Sequence, residues 1–219
     1  ASDFGEKENN FRQRLREWCW DKKDKQGKKR VDWEVSQSFV PLLKWILALW
    51  SPNEQKLVLA MDATSLKKLF VVLSISVVYR GCAIPIAWTI LREGQKGSWK
   101  EPWLKLFKDL EGSTPEGWLV IVAADRGLYA RWLYEAIQTC GWHPFLRINL
   151  RSKYRPQGVA DFRPMAQLLP CPGSVWAGKV TCFAVNPVEG TLLACWGAKH
   201  LEPWIILTDL PPENASAAW

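Results

Sequence analysis

"WLVIVAADRGLYARWLYEAI", residues 118–137, changes texture at Asp125. Before that residue the run from Trp118 is apolar almost without alternation, the pattern of a strand covered on both faces. After Arg126-Gly127 the spacing becomes helical. Leu128, Trp132, Leu133, Ala136 and Ile137 fall on one helix face, and Gly141 suits a left-handed helix end. The stretch therefore reads as a central parallel strand, a carboxylate at its mouth, and a helix that carries the chain back across the sheet.

Upstream, "KLVLAMDAT" (56–64), "LFVVLSISVVYR" (69–80) and "CAIPIAWTIL" (82–91) are β-branched runs of strand length, with Gly81 marking a tight turn. Three strands on short connections predict an antiparallel meander. Ser98-Trp99-Lys100-Glu101 fits a capping box, after which Trp103, Leu104, Phe107 and Leu110 form an apolar stripe that ends before Gly112. Downstream, "HPFLRIN" (143–149) supplies a fifth strand. Strand, strand, strand, helix, strand, helix, strand is the ribonuclease H-like order, with helical crossovers enforcing parallel pairing. Ahead of the meander, Val35, Phe39, Leu42, Leu43, Ile46 and Leu49 recur at helical spacing, with a bend expected at Pro41 and a stop before Ser51-Pro52. Beyond Arg151 the chain turns to short apolar runs punctuated by Pro and Gly. The expected organisation is a helical, basic N-terminal segment (1–52), a ribonuclease H-like core (53–150), a β-rich insertion (151–210) and the start of a further helix (211–219).

The strands "LAMD" and "VAAD" both close on an aspartate, Asp62 and Asp125. Singly, Asp125 reads equally well as a cap of the helix near Leu128, and Asp62 as a turn residue. In an open α/β sheet, however, ligands collect at the carboxyl ends of strands. If the first and fourth strands are adjacent and parallel, the two carboxylates converge, and like charges that close call for a cation between them. Mg²⁺ takes one or two carboxylates together with phosphate and water, and paired divalent ions serve phosphodiester chemistry.

Charge points to the same class of partner. The formal net charge is +7, and residues 12–30 hold nine basic side chains against three acidic ones, almost the whole excess. That stripe, with Lys28, Lys29 and Arg30 at its end and Phe11, Trp18 and Trp20 beside it, suits a polyanion; a solvated linker is the alternative. Arg126, directly after the second aspartate, is a candidate phosphate contact or a surface ion pair. Arg147, Arg151, Lys153 and Arg155 make a second basic patch around Tyr154, suited to a DNA backbone or to a solvated loop.

Other classes recede. The apolar stretches Val40–Trp50 and Leu69–Val78 are well short of the ~18 residues that span a bilayer, and no signal-peptide pattern opens the chain. A cytoplasmic protein is expected, and the missing initiator Met suggests a trimmed or partial reading frame. The six cysteines include no Cys-x-x-Cys pair and read as reduced core residues; Cys171, Cys182, Cys195 and His200 lack the paired spacing of a zinc site. His143, beside Pro144, reads as structural.

"LAMDAT", "LSISVVYRGCAIPIAW", "IVAADRGLYARWL" and "GWHPFLRIN" resemble the DDE transposases of bacterial insertion sequences, in the insertion-sequence-four branch, and the resemblance runs from about Phe11 to Trp219. It implies a ribonuclease H-like fold with a β insertion, and a catalytic triad of two aspartates and a glutamate that binds Mg²⁺ or Mn²⁺. Carried over, Asp62 matches the first aspartate and Asp125 the second. It implies DNA as partner, at transposon ends and target, a dimer on paired ends, a nucleoid-associated location, and an insertion tryptophan that stacks on a flipped base, for which Trp176, Trp196 and Trp204 are candidates. The family's glutamate signature, Tyr-x-x-Arg-x-x-x-Glu-x-x-x-x-x-x-Lys, does not occur here, although "WIILTDLPPENASAAW" resembles the stretch before it. The expectation is truncation ahead of the third acid. Of the two possible substitutes, Asp209 reads as a turn or strand-end residue and Glu213 as a first-turn helix residue.

Overall fold

The computed structural model describes residues 10, 12, 16, 17, 20–25, 32, 34–51, 53–94 and 99–218. The chain divides into two compact units, Ala1–Ser38 and Phe39–Trp219. In the first, 3-10 turns cover Lys22–Asp24 and Val35–Ser38, and the Lys22 backbone N–H donates to the Asp32 carboxylate at 2.6 Å. Lys28, Lys29 and Arg30 lie outside the described residues.

The second unit is built on one ten-stranded sheet. Its strands are β1 (Lys56–Leu66), β2 (Phe70–Tyr79), β3 (Cys82–Arg92), β4 (Leu119–Ala124), β5 (His143–Arg147), β6 (Lys153–Pro156), β7 (Arg163–Pro164), β8 (Val175–Cys182), β9 (Val188–Cys195) and β10 (Trp204–Thr208). The helices are α1 (Phe39–Leu47), α2 (Lys100–Leu110), α3 (Arg131–Thr139) and α4 (Pro212–Ala218). The order across the sheet is β3-β2-β1-β4-β5-β10-β9-β8-β6-β7. β1, β2 and β3 pair antiparallel, whereas β1, β4 and β5 run parallel because α2 and α3 return the chain between them. The first five strands thus have the ribonuclease H-like order and directions.

Alternation along the central strands separates two apolar clusters. Leu57, Leu59, Val120, Val122, Leu146 and Leu207 face one way and pack with Phe39, Leu43, Trp103, Phe107, Leu133 and Ile137 from the first three helices. Ile121, Phe145, Leu193 and Ile206 face the other way and meet Leu210 and Ala215 at α4. The unbroken apolar run of β4 is explained by this coverage on both faces.

Several boundaries differ from expectation. α1 begins at Phe39, not Val35, and ends at Leu47, so Val35 and Leu49 are exposed; Pro41 sits in its first turn, where a missing N–H costs nothing. α1 also falls in the same unit as the sheet instead of with the basic segment. At α2, Trp99 takes the N-cap position and Ser98 lies outside the described residues. The buried stripe is Trp103, Leu106, Phe107 and Leu110, with Leu106 in the place given to Leu104. α3 starts at Arg131, three residues later than the spacing suggested, and buries Leu133, Tyr134 and Ile137. β5 ends at Arg147. Residues 151–210 are β-rich, but their strands extend the core sheet itself, with β10 pairing antiparallel to β5.

Close approach at Gly190 locks β9 under α3. A Cβ there would lie 2.6 Å from the Thr208 carbonyl oxygen and 2.8 Å from the Tyr134 hydroxyl. Gly190→Ala should destabilise the unit by about 1–3 kcal/mol, read by denaturant unfolding. Thiol chemistry reports the same packing. Cys182 is buried and its thiol is pushed up to about 12 by burial, whereas Cys82 and Cys171 are exposed. Because burial disfavours the thiolate, alkylation at pH 8 should modify Cys82 and Cys171 quickly and leave Cys182 intact until the protein unfolds.

Candidate active site

The β1–β4 register runs from Lys56 opposite Leu119 to Met61 opposite Ala124. Asp62 and Asp125 are the next residues along each chain, so both lie just beyond the same end of the parallel pairing. Asp62 is not at a strand terminus, as its sequence context suggested: β1 continues to Leu66, and Asp62 pairs across to Ser74 of β2. Asp125 is one residue past β4. It does not cap the following helix, whose N-cap is Ala130 with no side-chain bond; its own carbonyl accepts the Leu128 N–H at 2.9 Å in a tight turn.

Each carboxylate has a partner. Thr64 Oγ1 donates to Asp62 Oδ2. Arg147, at the end of β5, donates from NH1 to Asp125 Oδ1 at 3.0 Å. The Arg147 side chain is only 13% exposed, while Asp125 is 72% exposed. The guanidinium lies 4.1 Å from the Trp204 ring centroid, in cation–π contact, and its Nε has no hydrogen-bond partner. Its NH2 faces Glu202 Oε1 at 3.7 Å, and the same oxygen takes Arg126 NH2 at 2.6 Å. Asp125, Arg147, Glu202 and Arg126 thus form a chain of alternating charge around Trp204. Asp125, Arg147 and Trp204 line a cavity of about 420 Å³ whose walls are Val58, Ala60, Ile121, Ala123, Phe145 and Ile206.

Glu202 was missed by sequence reasoning. It lies in the loop before β10 without any motif, and only the β10–β5 pairing, with Ile206 opposite Arg147, brings that loop to the Asp125 end. The same pairing removes Asp209 from consideration. β10 runs antiparallel to β5, so Asp209 emerges at the opposite end of the sheet, where it accepts from Gln138 Nε2 at 3.1 Å and meets His143 Nδ1 at 3.0 Å. His143 accordingly sits far from the aspartate pair. Glu213 occupies the first turn of α4 and is exposed.

The other candidates separate. Arg151 and Lys153 are exposed, and Arg155 stacks on Phe162 at 5.0 Å. Trp176 packs edge-on to Tyr154, and Trp196 donates from Nε1 to the His200 carbonyl at 3.0 Å. Of the three tryptophans, Trp204 is the one beside Asp125. No set of three metal-ligating His, Cys, Asp or Glu side chains converges among the described residues. Two carboxylates with a solvent-facing side still fit a Mg²⁺-type ion, which completes its shell with phosphate and water. Among the described residues no helix is long and apolar enough to cross a membrane.

Because both aspartates are exposed and neither caps a helix, Asp62→Asn and Asp125→Asn should each change stability by less than about 1 kcal/mol, measurable as a nearly unchanged thermal midpoint.

No protein-family model matches the chain. No curated protein sequence matches it either. Among solved structures, it is similar to endonuclease V of Ciona intestinalis in complex with a 24mer DNA containing an inosine followed by a ribo-adenosine, at 12% identity and TM-score 0.45, over 84% of this chain and 85% of that one. It is also similar to the Mos1 transposase catalytic domain with raltegravir and manganese, at 14% identity and TM-score 0.28, over 55% of this chain and 62% of that one. The ribonuclease H-like assignment rests on the strand order and directions of β1 to β5.

Proposed function

We propose that the chain is a DNA-processing catalytic core of the DDE transposase type, acting on phosphodiester bonds at insertion-sequence ends. The observation that carries this reading is that Asp62 and Asp125 each directly follow the last residue of the parallel β1–β4 pairing, at the same end of it. In this reading the two aspartates hold Mg²⁺ or Mn²⁺, which when bound supplies charge neutralisation at the phosphate and activation of the attacking oxygen. Arg126 and Arg147 bring two guanidinium groups to the same end; Arg126 is the more exposed of the two and is suited to donate to phosphate oxygens, while Arg147 is engaged with Asp125. Water oxygen bonds to phosphorus, the bond to the 3′ oxygen breaks, and that oxygen leaves as a hydroxyl that can attack a second strand. DNA is the partner, held further by the basic residues of the chain.

A second reading is favoured by one specific feature. No third acid joins the two aspartates among the described residues, and Arg147 already neutralises Asp125. A catalytically inactive chain that binds DNA or intact transposase would have such a site.

Nicking of supercoiled plasmid with Mg²⁺ or Mn²⁺ separates the two. The catalytic reading expects metal-dependent nicking that falls at least about a hundredfold in Asp62→Asn and in Asp125→Asn. DNA binding with no metal-dependent nicking supports the inactive reading. Nicking that persists in both variants refutes the assignment of the site.

A further inference from the structure

Pairing of β1 with β4 stops at Met61, but pairing of β1 with β2 continues through five further register pairs, from Asp62–Ser74 to Leu66–Phe70. β3 accompanies them, with Arg92 opposite Phe70. The three strands therefore project beyond the aspartate end of the sheet as an arm ~17 Å long, about five base-pair rises of a DNA duplex.

The tip of this arm has an unexpected composition. Leu66–Leu69 is a tight turn, closed by Leu69 N–H to the Leu66 carbonyl at 3.0 Å. Its two middle residues, Lys67 at φ +52° and Lys68 at φ +55°, both occupy the left-handed region. Positive φ at both middle positions is the signature of the turn type that ordinarily takes Asn-Gly. Two lysines in that place are strained, and strain of this kind gathers where a side chain has work to do. Both are exposed, and among the described residues neither they nor Arg92 form an ion pair. Glu93, the nearest acidic residue in the chain beyond the turn, joins the tip only by its backbone, donating to the Leu69 carbonyl at 2.9 Å.

The face of the arm that bears Asp62 is also unusual. By the alternation of β1 and its cross-strand partners, Asp62, Thr64, Leu66, Phe70 and Arg92 share one side. Leu66 is 50% exposed and Phe70 38%. An apolar patch ringed by unpaired cations, continuous with a carboxylate pair, suits a partner with an anionic backbone and apolar sugar and base surfaces.

We propose that this arm is a second nucleic-acid contact. Lys67 and Lys68 bind phosphates of a DNA duplex whose reacting phosphate lies at Asp62 and Asp125, while Leu66 and Phe70 pack on its sugars. This proposal rests on the reading of the chain as a DNA-processing core. It goes beyond that reading by assigning the arm, and not only the basic segments, to substrate positioning.

The test exploits the turn itself. Lys67→Asn with Lys68→Gly removes two charges while installing the residues the backbone prefers, so the fold is preserved and the thermal midpoint should rise. Binding to a DNA duplex of roughly twenty base pairs is followed by fluorescence anisotropy across a salt series. The doubly substituted protein should bind at least about tenfold more weakly at 0.1 M salt, and its slope of log K against log salt should be shallower by about 1.8, the value for two lost phosphate contacts. Lys105→Ala with Lys108→Ala, on α2, removes the same charge elsewhere and should leave the slope unchanged. Equal slopes for the wild type and the arm variant overturn the proposal. Loss of self-association in the arm variant with unchanged DNA binding overturns it in favour of a second copy of the chain at the patch. A wild-type chain that fails to bind duplex DNA at all overturns the DNA-processing reading, and the arm's role falls with it.

Discussion

The in-register parallel pairing of β1 with β4 is the constraint on which the rest depends. Six residue pairs, from Lys56–Leu119 to Met61–Ala124, fix three things together. They send Leu57, Leu59, Val120 and Val122 to the helix-covered face, they leave Val58 and Ile121 for the other face, and they put Asp62 and Asp125 just beyond the same end of the pairing. A slip of one residue would turn every side chain of one strand to the wrong face and separate the carboxylates. Burial of the apolar set thereby specifies the geometry of the polar one. The requirement that positions the aspartates is enforced by packing several residues away from them.

Charge at the carboxylate end is compensated locally. Arg147 is held by burial, by its stacking on Trp204 and by two acidic neighbours, and it presents a fixed positive charge to an otherwise solvent-facing Asp125. Any cation that binds Asp125 must share the carboxylate with Arg147 or displace it. The opposite end of the sheet has a different polar arrangement. There Asp209 is bound to Gln138 and His143, and its charge adds to burial in raising the pKa of Tyr134. The two ends hold different acids with different partners.

The sheet also explains how a region that reads as an insertion becomes part of the core. β10 returns alongside β5, and β9 and β8 follow it, so the hydrogen-bonding edge that β5 would otherwise expose is covered. Gly190 permits this by letting β9 approach the Tyr134 hydroxyl and the Thr208 carbonyl. The same return places Trp204 and Glu202 against Arg147, the partner of Asp125.

The sequence by itself determined the order of elements from β1 to β5 and the buried character of β4, and it singled out Asp62 and Asp125 as the acids that follow the two paired runs, because these follow from periodicities of two and 3.6 and from residues next to one another in the chain. Where local signals compete, it was less exact: the first turn expected of α3 is instead the loop that carries Asp125, since apolar spacing at Leu128 cannot tell a helix start from a packed turn. Only the tertiary structure decided that Asp209 lies at the wrong end, that Glu202 lies at the right one, and that Arg147 rests on Asp125. Each of these depends on the direction of β10 against β5, a pairing between segments some sixty residues apart that no local pattern encodes. The overhang of β1 and β2 beyond β4 has the same origin: the length of each strand is legible, but the point at which a neighbour stops is fixed by pairing.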